Sequence, residues 1–282
     1  MSESKLFQPL KLGNIEVKNR IAMAPLTRFR VDDHQAPLPI VAEYYAQRAS
    51  VPGTLLVTEA TIISRDAGGY ANIPGIYKQT QIDAWKNVVD AVHQKGSFIY
   101  LQLWHQGRTA GTEWAKKEGI KIKSSSPVTL EGYSTPEELT KEEIKDVVAT
   151  YAQAAKNAIA AGFDGVEIDG ANGYLVDQFI QDTVNQRTDE YGGSVENRSR
   201  FAYEVTKAVV DAVGAEKTGI RLSPYNTWQG MGMADPVPQF SDVIRKLAPL
   251  NLSYVHLVES RVAGIEDISQ RVMTCSAYLD SF

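Results

Sequence analysis

Arg20-Ile21-Ala22-Met23-Ala24-Pro25 is a short apolar run, and the residues after it, Leu26-Thr27-Arg28, decide what kind of sheet it belongs to. An open nucleotide-binding sheet carries Gly-x-Gly-x-x-Gly after its first strand, where glycines let the backbone approach a pyrophosphate. No such loop follows here. Five further runs of the same kind come later, at residues 54–60, 97–104, 163–169, 218–223 and 252–258. Several are nearly continuous in apolar residues, as strands covered on both faces are.

Helical patterns fill the gaps. Ile82, Trp85, Val89 and Val92 recur at steps of three or four, and Gly96 closes that helix. Thr140-Lys141-Glu142-Glu143 reads as a capping box, in which the threonine and the third residue of the helix satisfy each other's free N–H groups. Ile144, Val147, Val148, Tyr151 and Ala155 then share one face, and Gly162 supplies the stop. Ser194 opens a third helix with Phe201, Val205, Ala208 and Val209, ending at Gly214, and residues 241–247 start a fourth.

Strand and helix in alternation imply parallel strands joined by right-handed crossovers. Polar residues collect at the C-terminal ends of different strands: Thr27, Glu59, Gln102, Asp169, Arg221 and Glu259. A site assembled from many strand ends belongs to a TIM-type barrel. The expectation is therefore an α/β chain forming one (β/α) barrel domain over residues 1–282, with six recognisable strands. Residues 106–138 are rich in Gly, Ser, Thr, Lys and Pro and are expected to fold as a lid over the C-terminal end.

Composition narrows the function. Of 282 residues, 43% are apolar and 22% charged, the mixture of a globular protein. A net charge of −5 leaves no basic field for nucleic acid. Cys275 is the only cysteine, which excludes an internal disulfide framework. The start, Met1-Ser2-Glu3-Ser4-Lys5, is polar, and no apolar stretch is long enough for a membrane span, so a cytoplasmic protein is expected. No His, Cys and carboxylate spacing suggests a metal.

Four segments resemble the Old Yellow Enzyme family: Ala24-Pro25-Leu26-Thr27-Arg28, Gln102-Leu103-Trp104-His105, Gly170-Ala171-Asn172-Gly173-Tyr174-Leu175, and Asp189-Glu190-Tyr191-Gly192-Gly193-Ser194 with Asn197-Arg198. The likeness runs from about Leu6 to about Glu266, in the family's order and spacing. It implies an FMN-dependent ene reductase that takes hydride from NADPH or NADH and reduces an α,β-unsaturated carbonyl compound. It further implies roles. Pro25, Leu26 and Thr27 would line the flavin ring, and Ala60 would pack against it. Gln102 and Arg221 would serve its pyrimidine edge. Trp104 would shape the substrate pocket, Asn172 would bind the substrate carbonyl, and Tyr174 would donate the proton. The acidic, glycine-turned stretch from Asp189 to Arg198 reads as structural.

Two departures from the family pattern carry consequences. Asp169 stands where the family has a histidine paired with Asn172. An ionised carboxylate only accepts hydrogen bonds and repels a developing oxyanion. Either burial keeps Asp169 protonated, or it serves another purpose as a general acid or base. Arg221 likewise has two readings, as a flavin neighbour or as an ion-pair partner of Glu167 or Asp169.

The second departure is at the end of the chain. Six strands are two βα units fewer than the family's barrel, and the missing units carry its phosphate-holding turns. The tail 261–282, with Ile265, Ile268, Val272 and Met273, suits one helix. Weak or absent FMN retention is therefore expected, with homo-oligomerisation as one way to cover the open strand edges. The alternative functions are a flavin-independent isomerase, cyclase or lyase using Asp169 and Tyr174, or an inactive truncated homologue.

Overall fold

A computed structural model describes residues 4–260 and, beyond them, 262, 263, 266, 267, 275 and 278. The tail positions Ile265, Ile268, Val272 and Met273, expected in one helix, lie outside the described residues.

All six expected strands form, each shorter than or equal to its apolar run. They are β1 Ala22–Met23, β2 Leu55–Val57, β3 Phe98–Trp104, β4 Gly165–Gly170, β5 Thr218–Leu222 and β6 Tyr254–Leu257. They pair in sequence order, all parallel, with a short strand Thr61–Ile62 added against β3. Strictly consecutive order is the mark of a barrel, since a doubly wound sheet reverses direction at a switch point. The barrel is incomplete: among the described residues β1 and β6 each pair on one side only. Between these two edges opens a groove of about 330 Å³ lined by Ala22, Leu55, Val57, Glu167, Tyr254 and His256.

The helices behind the strands are α1 Pro39–Arg48, α2 Gln79–His93, α3 Lys141–Ala160, α4 Arg200–Val213 and α5 Pro236–Leu247. Helix α2 buries Trp85, Val88, Val89 and Val92, and α4 buries Phe201, Val205 and Val209, the stripes that their periodicity announces. The capping box of α3 is made in full: Glu143 N–H donates to Thr140 Oγ1 (3.2 Å) and Thr140 N–H to Glu143 Oε2 (2.8 Å).

Three helices depart from the sequence reading. Ser194 caps a separate short helix, Val195–Arg198, and α4 starts after it at Arg200. Helix α5 begins at Pro236, five residues before the apolar stripe suggests, because Asp235 caps it and proline fits its first turn. Helix α1 has too weak a stripe to read, burying only Val41 and Tyr45. Below the barrel a hairpin, Leu10–Leu12 with Ile15–Val17, packs Ile15 and Val17 onto Leu55 and Tyr100. Its turn needs Gly13 at φ +52°, since a Cβ there would lie 1.9 Å from the Glu216 carbonyl oxygen.

Candidate active site

Side chains two apart on a strand share a face. On β3 this puts Gln102 and Trp104 together, and on β4 Glu167 and Asp169. Register brings them level: Gln102 faces Glu167, and Asp169 faces Arg221, which in turn faces His256. The barrel interior is consequently polar toward its C-terminal end, where a cavity of about 780 Å³ opens. Its walls include Pro25, Leu26, Thr27, Trp104, Asn172, Tyr174 and Arg221, so most of the expected site residues converge there.

Three expected residues stand back from that cavity. Ala60 is buried behind it. The preceding Glu59 accepts the Arg28 N–H through Oε2 at 2.9 Å, tying the end of β2 to the Pro25–Thr27 wall. Gln102 is buried and donates from Nε2 to Glu167 Oε1 at 2.8 Å, while Glu167 Oε2 meets His256 Nδ1 at 3.0 Å. Asp169 is 2% exposed and accepts from the Ala171 N–H at 3.3 Å. Burial pushes its carboxyl up to about 7, against the opposing pull of the Arg221 charge.

Arg221 makes neither of the ion pairs that its second reading requires. Its guanidinium donates no hydrogen bond to any described residue, neither to Glu167 nor to Asp169, and its Nε is buried without a partner. A half-buried cation without a hydrogen-bonded anion is well placed to receive one from a ligand. The negative pyrimidine edge of a reduced flavin is such a ligand, and the cavity, walled by Pro25, Leu26, Thr27 and several aromatic rings, suits a flat ring. The residues present thus fit FMN. The buried Trp104 Nε1 also lacks a partner among the described residues.

Tyr174 follows a turn that only certain residues can make. Asn172 sits at φ +57° and Gly173 at φ +79°; asparagine tolerates the left-handed region, and a Cβ at 173 would lie 2.9 Å from Gln229 Cβ. The turn aims Tyr174 at Trp104, ring centroids 4.9 Å apart at 87°. Burial, and then the nearby Asp169, push the Tyr174 phenol well above its ordinary value, so it keeps its proton.

The sequence reading missed the rest of the lining: Phe29, Tyr70, Tyr133, Asn226, Trp228 and Gln229. All lie in segments that follow the C-terminal ends of strands, and their aromatic and amide character was the available signal. Tyr70 OH donates to the Thr109 carbonyl (3.0 Å), so the Tyr133 hydroxyl, 2.9 Å away, donates to Tyr70. His105 is not in this cavity. It lines another with Ser64, Lys121 and Lys123, and burial lowers its imidazole to about 3. Among the described residues no group of His, Cys, Asp and Glu could hold a metal ion, and no helix is long and apolar enough to cross a membrane.

The sequence profile of the NADH:flavin oxidoreductase / NADH oxidase family matches residues 5–278. The chain belongs to this family, the Old Yellow Enzymes. A chanoclavine-I aldehyde reductase of Penicillium roqueforti is 60% identical over 267 residues, covering 94% of this chain and 72% of the relative. A probable inactive reductase of Epichloe festucae var. lolii is 52% identical over 270 residues, covering 95% and 71%. The crystal structure of Old Yellow Enzyme from Pichia sp. AKU4542 superposes with a TM-score of 0.88 at 42% identity, covering 93% of this chain and 72% of that one. This Old Yellow Enzyme is thus an FMN oxidoreductase by family, its parallel sheet a part-built version of the family's barrel.

Proposed function

We propose that this Old Yellow Enzyme reduces the activated C=C bond of an α,β-unsaturated aldehyde or ketone with NADPH or NADH. The observation that carries the reading is the meeting, in one aromatic-walled cavity, of the unpartnered Arg221 guanidinium with two proton-bearing groups, Asn172 and Tyr174. Bound FMN supplies the hydride exchange. Pro25, Leu26 and Thr27 would line the ring, Ala60 would back it, and Arg221 would serve the pyrimidine edge, where Gln102, its Nε2 spent on Glu167, has only its Oε1 to offer. Trp104 shapes the substrate pocket, and the 106–138 segment closes over it through Tyr133.

The substrate carbonyl oxygen accepts from Asn172 Nδ2, while Asp169, buried just behind the cavity, acts on it through its charge state. Near neutral pH Asp169, raised to about 7, carries a proton in a large fraction of molecules, and a neutral carboxyl does not repel the developing oxyanion. Tyr174 OH delivers the proton to the α-carbon; a phenol that is a weak acid in water acts once positioned beside a developing enolate. A relative named as an aldehyde reductase favours an enal over an enone. We place the protein in the cytoplasm and allow the open barrel edges to meet in a homo-oligomer.

Titration of FMN with the purified protein, followed by enal-dependent nicotinamide oxidation, tests the reading. Saturable quenching of flavin fluorescence and turnover that needs both FMN and an enal support it. The same titration measures whether retention is weak, as the sequence reading expects. Absence of saturable quenching overturns the reading, and turnover without flavin replaces it with non-redox chemistry at Asp169 and Tyr174.

A further inference from the structure

Asn172 is held on three sides. Its N–H donates to Ser223 Oγ (2.7 Å), its carbonyl accepts from Gln229 Nε2 (2.7 Å), and its side-chain Oδ1 accepts from Asn226 Nδ2 (2.8 Å). Its Nδ2 donates to no described residue and is left for the cavity that Asn172 lines.

The orientation of this amide is forced from one residue further out. Asn226 Oδ1 accepts the N–H of Trp228, two residues along, at 2.9 Å. That bond spends the Asn226 oxygen and turns its Nδ2 toward Asn172. Facing a donor, Asn172 presents Oδ1, so its own Nδ2 must point the other way. Asn226 is buried, and Gln229 is anchored in turn by Arg108, whose Nη2 donates to the Gln229 carbonyl at 2.7 Å.

We infer that Asn226 is a positioning residue that sets the Asn172 amide so that a donor, not an acceptor, faces the substrate carbonyl. The inference rests on the proposed carbonyl-binding role of Asn172. It selects ligands that bring an acceptor oxygen to that point and penalises those that bring a donor or nothing. Trp228 and Gln229, on the same loop, lock the arrangement through their backbone and amide bonds.

The decisive variant is Asn226→Asp. It has the same shape but no donor. One introduced oxygen keeps the Trp228 N–H; the other faces Asn172, which must rotate to offer Nδ2 and leaves Oδ1 toward the cavity. The test uses FMN-supplemented protein without nicotinamide. Binding of cinnamaldehyde is compared by calorimetry with that of trans-β-methylstyrene, the same skeleton without the carbonyl.

Wild type is expected to prefer the aldehyde. Asn226→Asp is expected to weaken aldehyde binding about tenfold, the loss of one well-placed hydrogen bond plus an acceptor–acceptor contact, with hydrocarbon binding unchanged. Asn226→Ala frees the Asn172 amide to rotate and is expected to weaken aldehyde binding by a smaller factor. It decides the matter if the aspartate variant does not fold. Equal aldehyde preference in wild type and variants overturns the positioning role alone. A wild type with no aldehyde preference overturns the carbonyl reading beneath it, and this inference with it.

Discussion

Asp169 and Arg221 stand opposite each other on β4 and β5, and no hydrogen bond joins them. Burial raises the Asp169 carboxyl to about 7, and Arg221 pulls it down without dominating. Because an ionised Asp169 behind the cavity repels the developing oxyanion, kcat/KM falls as pH rises through about 7. Asp169→Asn stays neutral at every pH and should flatten that alkaline limb. Arg221→Met removes the lowering charge and should move the limb to higher pH, alongside weaker flavin binding. A pH profile measured at saturating FMN checks both. A limb that survives unchanged in Asp169→Asn means that Asp169 is not the titrating group.

Tyr174→Phe keeps the ring that packs edge-on against Trp104 and removes only the hydroxyl. Folding should therefore be preserved. Loss of a positioned general acid typically costs about 10²- to 10⁴-fold in rate. The expected result is a fall of that order in kcat for the enal, with the dissociation constant for cinnamaldehyde little changed. Flavin reduction by the nicotinamide, followed by bleaching in the absence of enal, should proceed at the wild-type rate. A variant with wild-type kcat would place the proton donor elsewhere.

Much of this site was legible because strand ends and loops follow simple rules. Thr27, Gln102, Asp169 and Arg221 announced themselves as polar residues at the ends of apolar runs, and Asn172 and Tyr174 through the family segment Gly170 to Leu175. What was hidden depends on approach in space. Tyr70 and Tyr133 are 63 positions apart and meet only because two loops fold over the same strand ends. The Glu167 pairing with Gln102 and His256 needs the strand register, which composition does not fix. Helix α1 escaped because only two of its ten residues are buried, leaving no periodic stripe to read. The short helix Leu175–Ile180 escaped for the opposite reason, since all six of its residues are buried.

The stretch read as structural has a centre in Arg187, just before it. This nearly buried guanidinium pairs with Asp189 (Nη2 to Oδ2, 2.7 Å) and donates from Nη1 to the carbonyls of Ser125 (3.0 Å) and Leu139 (2.7 Å). It thereby joins the segment after the short helix to the 106–138 connection and to the approach to α3. Arg187→Met strands the Asp189 carboxylate and two carbonyls. Leaving buried carbonyls without their donor costs about 1–3 kcal/mol, and the part-buried Asp189 adds to it. Urea denaturation should show a loss of that size, large for a domain with ordinary marginal stability. A midpoint within error of wild type would make the segment peripheral to stability.

The pH dependence of stability follows from three buried carboxyls. Glu59, Asp169 and Asp177 are each raised to about 7, with burial the largest cause in every case. Asp177 is the cleanest to remove. It accepts from Gly173 N–H (2.9 Å), Gln181 Nε2 (3.2 Å) and Ser223 Oγ (3.4 Å) and does not line the cavity. Between the ordinary carboxylate range and about 7, the folded protein holds protons that the unfolded chain has released. Stability therefore falls as pH rises through that window and becomes independent of these groups above it. The slope is at most about 1.4 kcal/mol per pH unit for each such proton. Part-buried carboxylates such as Asp189, lowered chiefly by its bond to Arg187, act with the opposite sign, so absolute curves mix the two. The difference between wild type and Asp177→Asn isolates one proton. It should change steadily from about pH 5 to about pH 7, favouring the variant more at each step, and level off beyond. A flat difference curve across that window would mean that Asp177 is ionised in the folded protein and that its three donors outweigh its burial.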